Sequence, residues 1–197
     1  LRMKEIRKKY RLPDKFALYV GDVTWNKNLP RLIEAVKKIN IPLVMVGDAL
    51  VKGDVDMNNP WNKDFNKVLE LINGNGRITR LGFVSKEDLI LLYNIASVFA
   101  MPSLYEGFGL PILEAMSCGC PVVTSKEGSI PEIAGEAAYF IDAYNTESIA
   151  VGINEVFDSS NLQEELSKKG LIQSKKFTWH KTATETMRVY REVTALK

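Results

Sequence analysis

Short apolar segments alternate with amphipathic segments along most of the chain. Runs of four or five mainly apolar residues, bounded by turn-forming residues, predict buried strands. These runs lie at residues 16–20, 42–46, 78–81, 97–101, 121–124 and 138–141. Between them, apolar residues at helical spacing predict helices at residues 29–39, 64–72, 86–96 and 111–117. This repeated strand–helix–strand order predicts an α/β fold, a Rossmann-like parallel sheet with helices on both faces.

The last part of the chain has a different pattern. Beyond residue 141 the spacing is helical and predicts helices at residues 148–157, 162–174 and 180–194. The last of these carries Ala183, Met187 and Tyr190 in a stripe that is typical of core or of an interface. Upstream, Ser129 and Glu132 form a Ser-x-x-Glu sequence, which predicts a short helix with a capping box. We expect one domain over residues 1–197, with a helical C-terminal end.

The predicted fold indicates where ligands would bind, because doubly wound parallel sheets bind them beyond the carboxyl ends of their strands. In the loop after the strand that ends at Met101, Glu106 precedes Gly107 and Gly109, and Pro111 suits the first turn of a helix. Glycines let backbone N–H groups approach a ligand, and a helix start offers unpaired N–H donors at a positive dipole end. This loop is therefore typical of a phosphate-binding site.

Two carboxylates accompany the glycines. Seven residues separate Glu106 in the loop from Glu114, which we place in the first turn of the following helix, facing the same cleft. A carboxylate can accept two hydrogen bonds from a vicinal diol, and ribose offers such a diol. Alternatively, both are surface acids, which are favoured near a helix start. Spacing alone leaves both interpretations open.

The same residues resemble glycosyltransferase family four, whose members are retaining enzymes of the GT-B type. The family signature is a Glu, seven residues and a second Glu, within Glu-Gly-Phe-Gly-Leu, and residues 102–116 and 119–123 are similar to it. Weaker similarities follow the expected order at residues 18–21, 27–29, 44–47, 81–85, 130–132 and 177–179. The resemblance implies one half of a GT-B enzyme that binds a UDP- or GDP-sugar, with no obligatory metal and no other cofactor.

The resemblance also implies roles for single residues. Glu114 would hold the ribose hydroxyls, Lys27 the diphosphate, and Glu106 the donor sugar; Glu106 and Lys27 are the candidate catalytic residues. The other predicted donor-binding residues follow three of the strands: Gly21, Gly82, Phe83, Val84, Gly107, Phe108, Gly109 and Leu110.

Lys27 precedes a predicted helix for which Asn28 is the expected N-cap. A lysine at a positive dipole end is electrostatically unfavourable without an anion, which favours a ligand-binding role over that of a solvated loop lysine. The sequence departs from the family at Asp22, where most members have an arginine that also binds the diphosphate. Arg31 and Lys126 are candidates for the missing charge.

Composition, charge and cysteine content indicate the general class of the protein and its compartment. With 46% hydrophobic residues, 25% charged residues and a net charge of +2, the chain is typical of a globular domain and requires no nucleic-acid partner. A disulfide between Cys118 and Cys120 would be strained, so we expect reduced thiols in a cytoplasmic protein. Peripheral attachment at the cytoplasmic membrane face is the second option. Asp54-Val55-Asp56 is a weak candidate metal site, and His180 is interpreted as structural.

Other functions of the same fold type remain open. They are a flavodoxin-like binding or signalling domain, for which Asp22 is the main support, and a nucleotide-sugar epimerase or a phosphorylase. In the glycosyltransferase interpretation, a second domain outside these residues would bind the acceptor, a glycan, lipid or small molecule, and would mediate any membrane association. We then expect this chain to bind nucleotide but to transfer little sugar.

Overall fold

A computed structural model describes residues 2–51, 59 and 63–195. Its sheet consists of six parallel strands: β1 (Ala17–Val20), β2 (Leu43–Val46), β3 (Ile78–Leu81), β4 (Val98–Met101), β5 (Val122–Ser125) and β6 (Ala138–Ile141). The strand order is β3-β2-β1-β4-β5-β6. Each strand lies within one residue of its predicted bounds, and the predicted Rossmann-like parallel sheet is confirmed.

The helices connect and extend these strands. Within the described residues they are α1 (Arg2–Tyr10), α2 (Leu29–Lys38), α3 (Lys63–Ile72), α4 (Lys86–Ile95), α5 (Leu110–Ser117), α6 (Ile130–Ala134), α7 (Thr146–Asp158), α8 (Ser160–Ser174) and α9 (Trp179–Ala195). Short 3-10 turns at Trp25–Lys27 and Asp48–Val51 follow β1 and β2. The three consecutive helices α7, α8 and α9 form the predicted helical C-terminal end.

Side chains alternate along each strand and so divide the core into two layers. Ala17 and Tyr19 of β1 face the layer that contains α2, α3 and α7, whereas Leu18 faces the layer that contains α1, α4, α5 and α6. All three side chains are fully buried. Because both faces of the sheet are covered, the binding surfaces that remain lie along its edges and ends.

The strand order brings the ends of β1 and β4 together. From β1 the chain runs outward through β2 and β3, and it then returns to β4 on the other side of β1. The carboxyl edge between β1 and β4 is therefore the topological switch point, where doubly wound sheets bind ligands. The two loops that leave this point contain Lys27 and Glu106.

At the starts of α2 and α6, the N-cap side chains make other hydrogen bonds than the predicted capping bonds. Ser129 occupies the N-cap position of α6, but its hydroxyl accepts no capping bond; it lies within hydrogen-bonding distance of the Glu106 and Phe108 carbonyl oxygens, which share its single proton. The capping-box prediction is therefore wrong. Asn28 is the N-cap residue of α2, as predicted, but it has a left-handed backbone and its side chain makes no capping bond. The Ser129 hydroxyl bonds to a loop distant in sequence, whereas the Asn28 Oδ1 accepts a bond from Arg31 and its amide donates to the distant Pro102 and Ala143 carbonyls.

The last helix lies apart from both core layers. Every residue of α9 is exposed, including Met187 and Tyr190. The core interpretation of that stripe is therefore wrong, and its use as an interface stays a prediction. No helix in the described ranges has both the length and the apolar character needed to cross a membrane.

Candidate functional site at the carboxyl edge of the sheet

Lys27 and Glu106 form an ion pair at the switch point. The Lys27 Nζ lies 2.8 Å from Glu106 Oε1 and 3.0 Å from Oε2. The two side chains are only 17% and 8% exposed, so salt and water screen the pair weakly. The argument that Lys27 needs a ligand to supply its anion is therefore wrong, because Glu106 supplies one. We call these two residues the switch-point pair.

Two buried serines hold the Glu106 carboxylate in place. The Ser103 hydroxyl donates to Glu106 Oε1 over 2.7 Å. The Ser125 hydroxyl, at the end of β5, donates to the Ser103 carbonyl over 2.5 Å. Because a bond from the neighbouring strand fixes Ser103, it presents its hydroxyl to Glu106 in one orientation. The carboxylate is thus oriented from the sheet side as well as by Lys27.

Further hydrogen bonds join the loop after β1 to the loop after β4. The Leu104 N–H donates to the Asn26 carbonyl over 2.7 Å, and the Asn26 side-chain amide donates to the Tyr105 carbonyl over 3.0 Å. The buried Asn28 amide donates to the Pro102 carbonyl over 3.0 Å. These bonds fix the loops relative to each other, and they thereby preorganise the switch-point pair.

Beyond the ion pair, the chain enters α5 with unpaired N–H groups. Gly107 and Phe108 are exposed, and in the described part of the chain the N–H groups of Gly107, Phe108 and Gly109 donate to no protein acceptor. Gly109 has a φ of 96°, which a residue with a Cβ rarely adopts. The positive dipole end of α5 follows directly. This arrangement of donors is suited to an anion such as a phosphate.

Glu114 lies on α5 and faces α4. Because α5 begins at Leu110, Glu114 is in the second turn and not in the predicted first turn. The carboxylate is exposed, and its Oε2 accepts a hydrogen bond from the Tyr93 hydroxyl over 3.1 Å. Burial, reinforced by the Glu114 charge, raises the pKa of Tyr93 far above its ordinary value. Tyr93 therefore stays protonated and orients Glu114, whose other oxygen is left for a ligand.

The loop after β3 leaves the same carboxyl edge at the outer strand on the β1 side of the switch point. Phe83 is 83% exposed, whereas Val84 is buried in the core. Gly82 packs closely on the turn after β2, since a Cβ there would lie 2.6 Å from a Val51 methyl group. Three spacings of about 4.8 Å separate β3 from β4, so the loops that carry Phe83 and Glu106 leave the sheet roughly 14 Å apart.

The first loop positions Asp22 where the family resemblance leads one to expect an arginine. Gly21 has a φ of 152°, and a Cβ on it would lie 2.8 Å from the Tyr19 hydroxyl oxygen. That hydroxyl donates to the Asp22 carbonyl over 2.8 Å. Burial, followed by the charges of Glu106 and Asp22, raises the pKa of Tyr19 well above its ordinary value. Tyr19 therefore remains protonated and holds this tight turn through the backbone.

The two candidates for a second cation lie away from the switch-point pair. Arg31 donates to the Asn28 side chain and, with the exposed Trp25, lines a groove of about 820 Å³ beside α2 and α3. Lys126 lies over the Phe140 ring, with its Nζ 5.5 Å from the centroid. Neither side chain contacts the pair in this structure, so Lys27 is the cation that the structure brings to Glu106.

Several other sequence features lie outside this site. Asp54-Val55-Asp56 falls outside the described residues. Across the ranges that are described, no three His, Cys, Asp or Glu side chains are grouped to hold a metal ion. Cys118 and Cys120 form no disulfide, and burial raises the pKa of both thiols. His180 is exposed in the first turn of α9.

The sequence analysis missed three residues that support the site. Ser103 and Tyr93 orient the two carboxylates. Ser103 lies within the stretch that resembles the family signature, but nothing there indicated a role for its hydroxyl, and Tyr93 has no sequence signal of its own. Ser129 carried a signal, but a misleading one, since its place in a capping motif suggested a local role.

The six-stranded parallel sheet with its ligand edge at a topological switch point places the chain in the Rossmann-like class of α/β domains. The comparison with family models then identifies the family. The model described as "Glycosyl transferases group 1" matches residues 2–172, and the chain belongs to this family. Membership favours the glycosyltransferase interpretation over the flavodoxin-like and epimerase alternatives.

Two of the curated relatives are Escherichia coli proteins that are named as mannosyltransferases. The chain is 36% identical over 182 residues to O-antigen chain mannosyltransferase B, a match that covers 89% of this chain and 45% of that protein. It is 31% identical over 186 residues to serotype-specific mannosyltransferase WbdA, covering 92% of this chain and 22% of that protein. The chain therefore spans less than half the length of these relatives.

Solved structures show the same fold. Sucrose-phosphate synthase from Thermosynechococcus elongatus superposes with a TM-score of 0.80 at 26% identity, covering 98% of this chain and 49% of that one. HepE of Anabaena, in complex with UDP-glucose, superposes with a TM-score of 0.76 at 21% identity, covering 98% and 52%. Each match covers about half of the larger chain, as one half of a GT-B enzyme would.

Proposed function

We propose that this chain is the donor-binding half of a retaining glycosyltransferase of family four, and that it binds a nucleoside diphosphate sugar along the carboxyl edge. The observation that carries the proposal is the preorganised switch-point pair beside the unpaired N–H groups of residues 107–109. A lysine, a helix N-terminus and a glycine loop at one point form a site for a dense negative charge. A diphosphate is such a charge.

The edge offers one feature for each part of the donor. The base would lie against the exposed loop of Gly82 and Phe83, and Glu114 would accept hydrogen bonds from the ribose hydroxyls. The start of α5 and Lys27 would hold the diphosphate. Glu106, at the end of the surface away from Phe83, would contact the sugar. An elongated ligand of this kind would use the full distance of roughly 14 Å, which three strand spacings span.

Donor binding would change the partners of Lys27. Without a ligand, Glu106 compensates the charge of Lys27. A diphosphate at the start of α5 would compete with Glu106 for the Lys27 ammonium group. Part of the Glu106 carboxylate would then be available to a sugar hydroxyl. When the bond between the sugar and the diphosphate breaks, negative charge grows on the leaving phosphate. Lys27 and the N–H groups at the start of α5 would stabilise that charge in the transition state.

The identities of the transferred sugar and of the acceptor are proposed from the names of the relatives alone. Because the two E. coli relatives are named mannosyltransferases, we propose mannose as the sugar and a glycan as the acceptor, bound by a part of the protein outside these residues. The base stays open between uracil and guanine. Retention at the anomeric carbon rests on the family-four resemblance. A cytoplasmic location, with peripheral membrane attachment as the second option, stays a prediction.

Calorimetric titration of the 197-residue chain with UDP, GDP and ADP, with Mg²⁺ and with EDTA, tests the proposal. We expect one of the three nucleotides to bind equally well in both buffers. Glu114→Gln should weaken binding about tenfold or more, since it replaces one acceptor oxygen of a charged group while preserving an acceptor for Tyr93. Glu155→Gln, at an exposed position of α7, makes the same charge change as a control.

Three results would count against the proposal. If no nucleoside diphosphate bound, the donor-domain interpretation would fail. Equal losses in Glu114→Gln and Glu155→Gln would remove Glu114 from the site. Binding that required Mg²⁺ and was lost on Asp54→Asn would show that the nucleotide binds through a metal ion at Asp54-Val55-Asp56 instead.

A further inference from the structure

Ser129 has the sequence position of a helix cap but not its bonding. It precedes α6, and its side chain makes no capping bond there. Instead its hydroxyl lies 3.1 Å from the Glu106 carbonyl oxygen and 3.0 Å from the Phe108 carbonyl oxygen. Its backbone N–H also donates to the Glu106 carbonyl, over 3.2 Å. An N-cap serine normally contributes about 1 kcal/mol to its own helix, so its use elsewhere calls for an explanation.

The neighbouring residue allows this contact. Gly128 has a φ of 59°, and a Cβ on it would lie 2.6 Å from the Glu106 carbonyl oxygen and 3.1 Å from the Glu106 nitrogen. Only a glycine therefore lets the start of α6 approach the loop so closely. Together, Gly128 and Ser129 place the start of α6 directly behind residues 106–108.

Peptide geometry connects this contact to the phosphate site. In a planar trans peptide the C=O and N–H groups point in opposite directions. When the carbonyls of Glu106 and Phe108 point toward Ser129, the N–H groups of Gly107 and Gly109 must point away from α6. These N–H groups are among those that have no acceptor in the described part of the chain. The orientation of the anion-binding donors is thus set by what holds the carbonyls behind them.

We infer that Ser129 is a positioning residue for the donor loop, and that its hydroxyl aims the N–H groups of Gly107 and Gly109 at the diphosphate of a nucleoside diphosphate sugar. This inference rests on the proposed function and names a residue that acts on the same site. Ser129 acts through the loop backbone. The Phe108 carbonyl depends on it most, because the Glu106 carbonyl keeps its bond from the Ser129 N–H when the hydroxyl is removed.

The test compares two serines that occupy helix N-cap positions. Ser129→Ala removes the contact with the loop. Ser159→Ala is the matched control, because the Ser159 hydroxyl accepts a true capping bond from the Leu162 N–H of α8, over 3.2 Å. Ser129→Thr retains a hydroxyl and is the conservative variant. For each variant, calorimetry measures the affinity for UDP or GDP, NMR titration measures the affinity for the matching nucleoside, and urea unfolding measures stability.

We expect Ser129→Ala to weaken binding of the nucleoside diphosphate about three- to tenfold, since one hydrogen bond organises the donors, and to leave nucleoside binding unchanged. Ser129→Thr should recover most of the affinity. Ser159→Ala should lower the urea midpoint more than Ser129→Ala does and leave both affinities unchanged.

The outcomes separate the inference from the proposed function. If the unmodified chain binds no nucleoside diphosphate, both fail. If it binds one and Ser129→Ala binds it equally well, only the positioning role fails. A loss of affinity shared equally by diphosphate and nucleoside, or by the Ser129 and Ser159 variants, would also overturn it, because the effect would then come from general destabilisation.

Discussion

The part of the carboxyl edge that runs from β3 to the switch point has two ends, and they are built in opposite ways. At the switch point, the Glu106 side chain is 8% exposed and accepts hydrogen bonds from Lys27 and Ser103. At the end near β3, Phe83 is 83% exposed, and its loop is supported from behind. There the Ser85 hydroxyl caps α4, and Asp88 of α4 accepts bonds from α1. One end is closed and preorganised, and the other is an open surface.

This difference has a physical consequence for a ligand that spans the edge. Charged groups fixed before binding require little reorganisation when a charge develops beside them, which suits the end where chemistry would occur. An exposed aromatic ring and backbone offer contact area without fixed charges, which suits recognition of a base. We therefore expect substitutions at the switch point to affect stability and phosphate binding together, and substitutions at the other end to affect nucleoside binding and leave phosphate binding intact.

The largest effect should follow removal of Lys27. Lys27→Met would leave the Glu106 carboxylate almost buried with Ser103 as its remaining partner, and an uncompensated buried charge is costly. Because the lysine is partly exposed, we expect a loss of about 2 kcal/mol in the free energy of unfolding, below the range for fully buried pairs. Urea denaturation measures it. Binding of pyrophosphate, the ligand's charged part alone, should be lost as well.

A second substitution sharpens this result. Glu106→Gln in the Lys27→Met background removes the orphaned charge, so the double variant should recover part of the lost stability, though none of the pyrophosphate binding. Lys37→Met, at an exposed position of α2, serves as the control. If Lys27→Met were no less stable than Lys37→Met, the switch-point pair would not be the preorganised element that distinguishes this end.

A smaller effect is expected at Tyr93, which lies between the two ends. Tyr93→Phe removes the bond that orients Glu114 but retains the ring that packs edge-on against Phe99. We expect the nucleoside affinity to fall about threefold, as one hydrogen bond typically contributes, with pyrophosphate binding unchanged. NMR titration measures both. Tyr139→Phe is the matched control, and an equal loss in that variant would show that the loss does not come from the bond between Tyr93 and Glu114.

The comparison also explains how much of the molecule the sequence could predict. The strands were predictable because apolar runs such as residues 98–101 and 43–46 sit between clear turn signals, and their parallel arrangement followed from the repeated crossovers. The glycine loop and α5 were predictable for the same local reason. Periodicity did not show that β1 and β4 are neighbours. The ion pair of Lys27 with Glu106, 79 residues apart in sequence, was therefore not predicted.

At Ser129 the sequence predicted a local contact that the structure does not contain. The Ser-x-x-Glu sequence was a genuine local signal, but a capping motif gives only a tendency, and a carbonyl in a distant loop competed for the hydroxyl. The competition was decided by how close Gly128 lets the two segments come, which no local pattern encodes. Local motifs thus predicted where helices begin at α2 and α6, and tertiary contacts determined what the side chains do there.

The smallest expected effect is at Asp88, whose contacts with α1 support the open end of the edge near Phe83. Lys9 and Tyr10 of α1 donate to Asp88 Oδ2, and these bonds, the one from Lys9 first, lower the pKa of Asp88. A carboxylate with a lowered folded-state pKa stabilises the fold above its unfolded value, near 4, and loses that contribution as pH falls through the folded value. Asp88→Asn should therefore be slightly less stable than the unmodified chain at pH 7, and the gap should close below pH 4.

The effect is small because Lys9 is exposed to solvent, where ion pairs contribute little. Urea unfolding from pH 7 to pH 3 measures it, with the exposed Asp14→Asn as control. Because Asp88 lies in the first turn of the helix that follows the Phe83 loop, the same variant should weaken nucleoside binding slightly and leave pyrophosphate binding intact. A gap that widened as pH fell, or a loss of pyrophosphate binding, would mean that the two ends of the edge are not independent and that α4 also supports the switch-point pair.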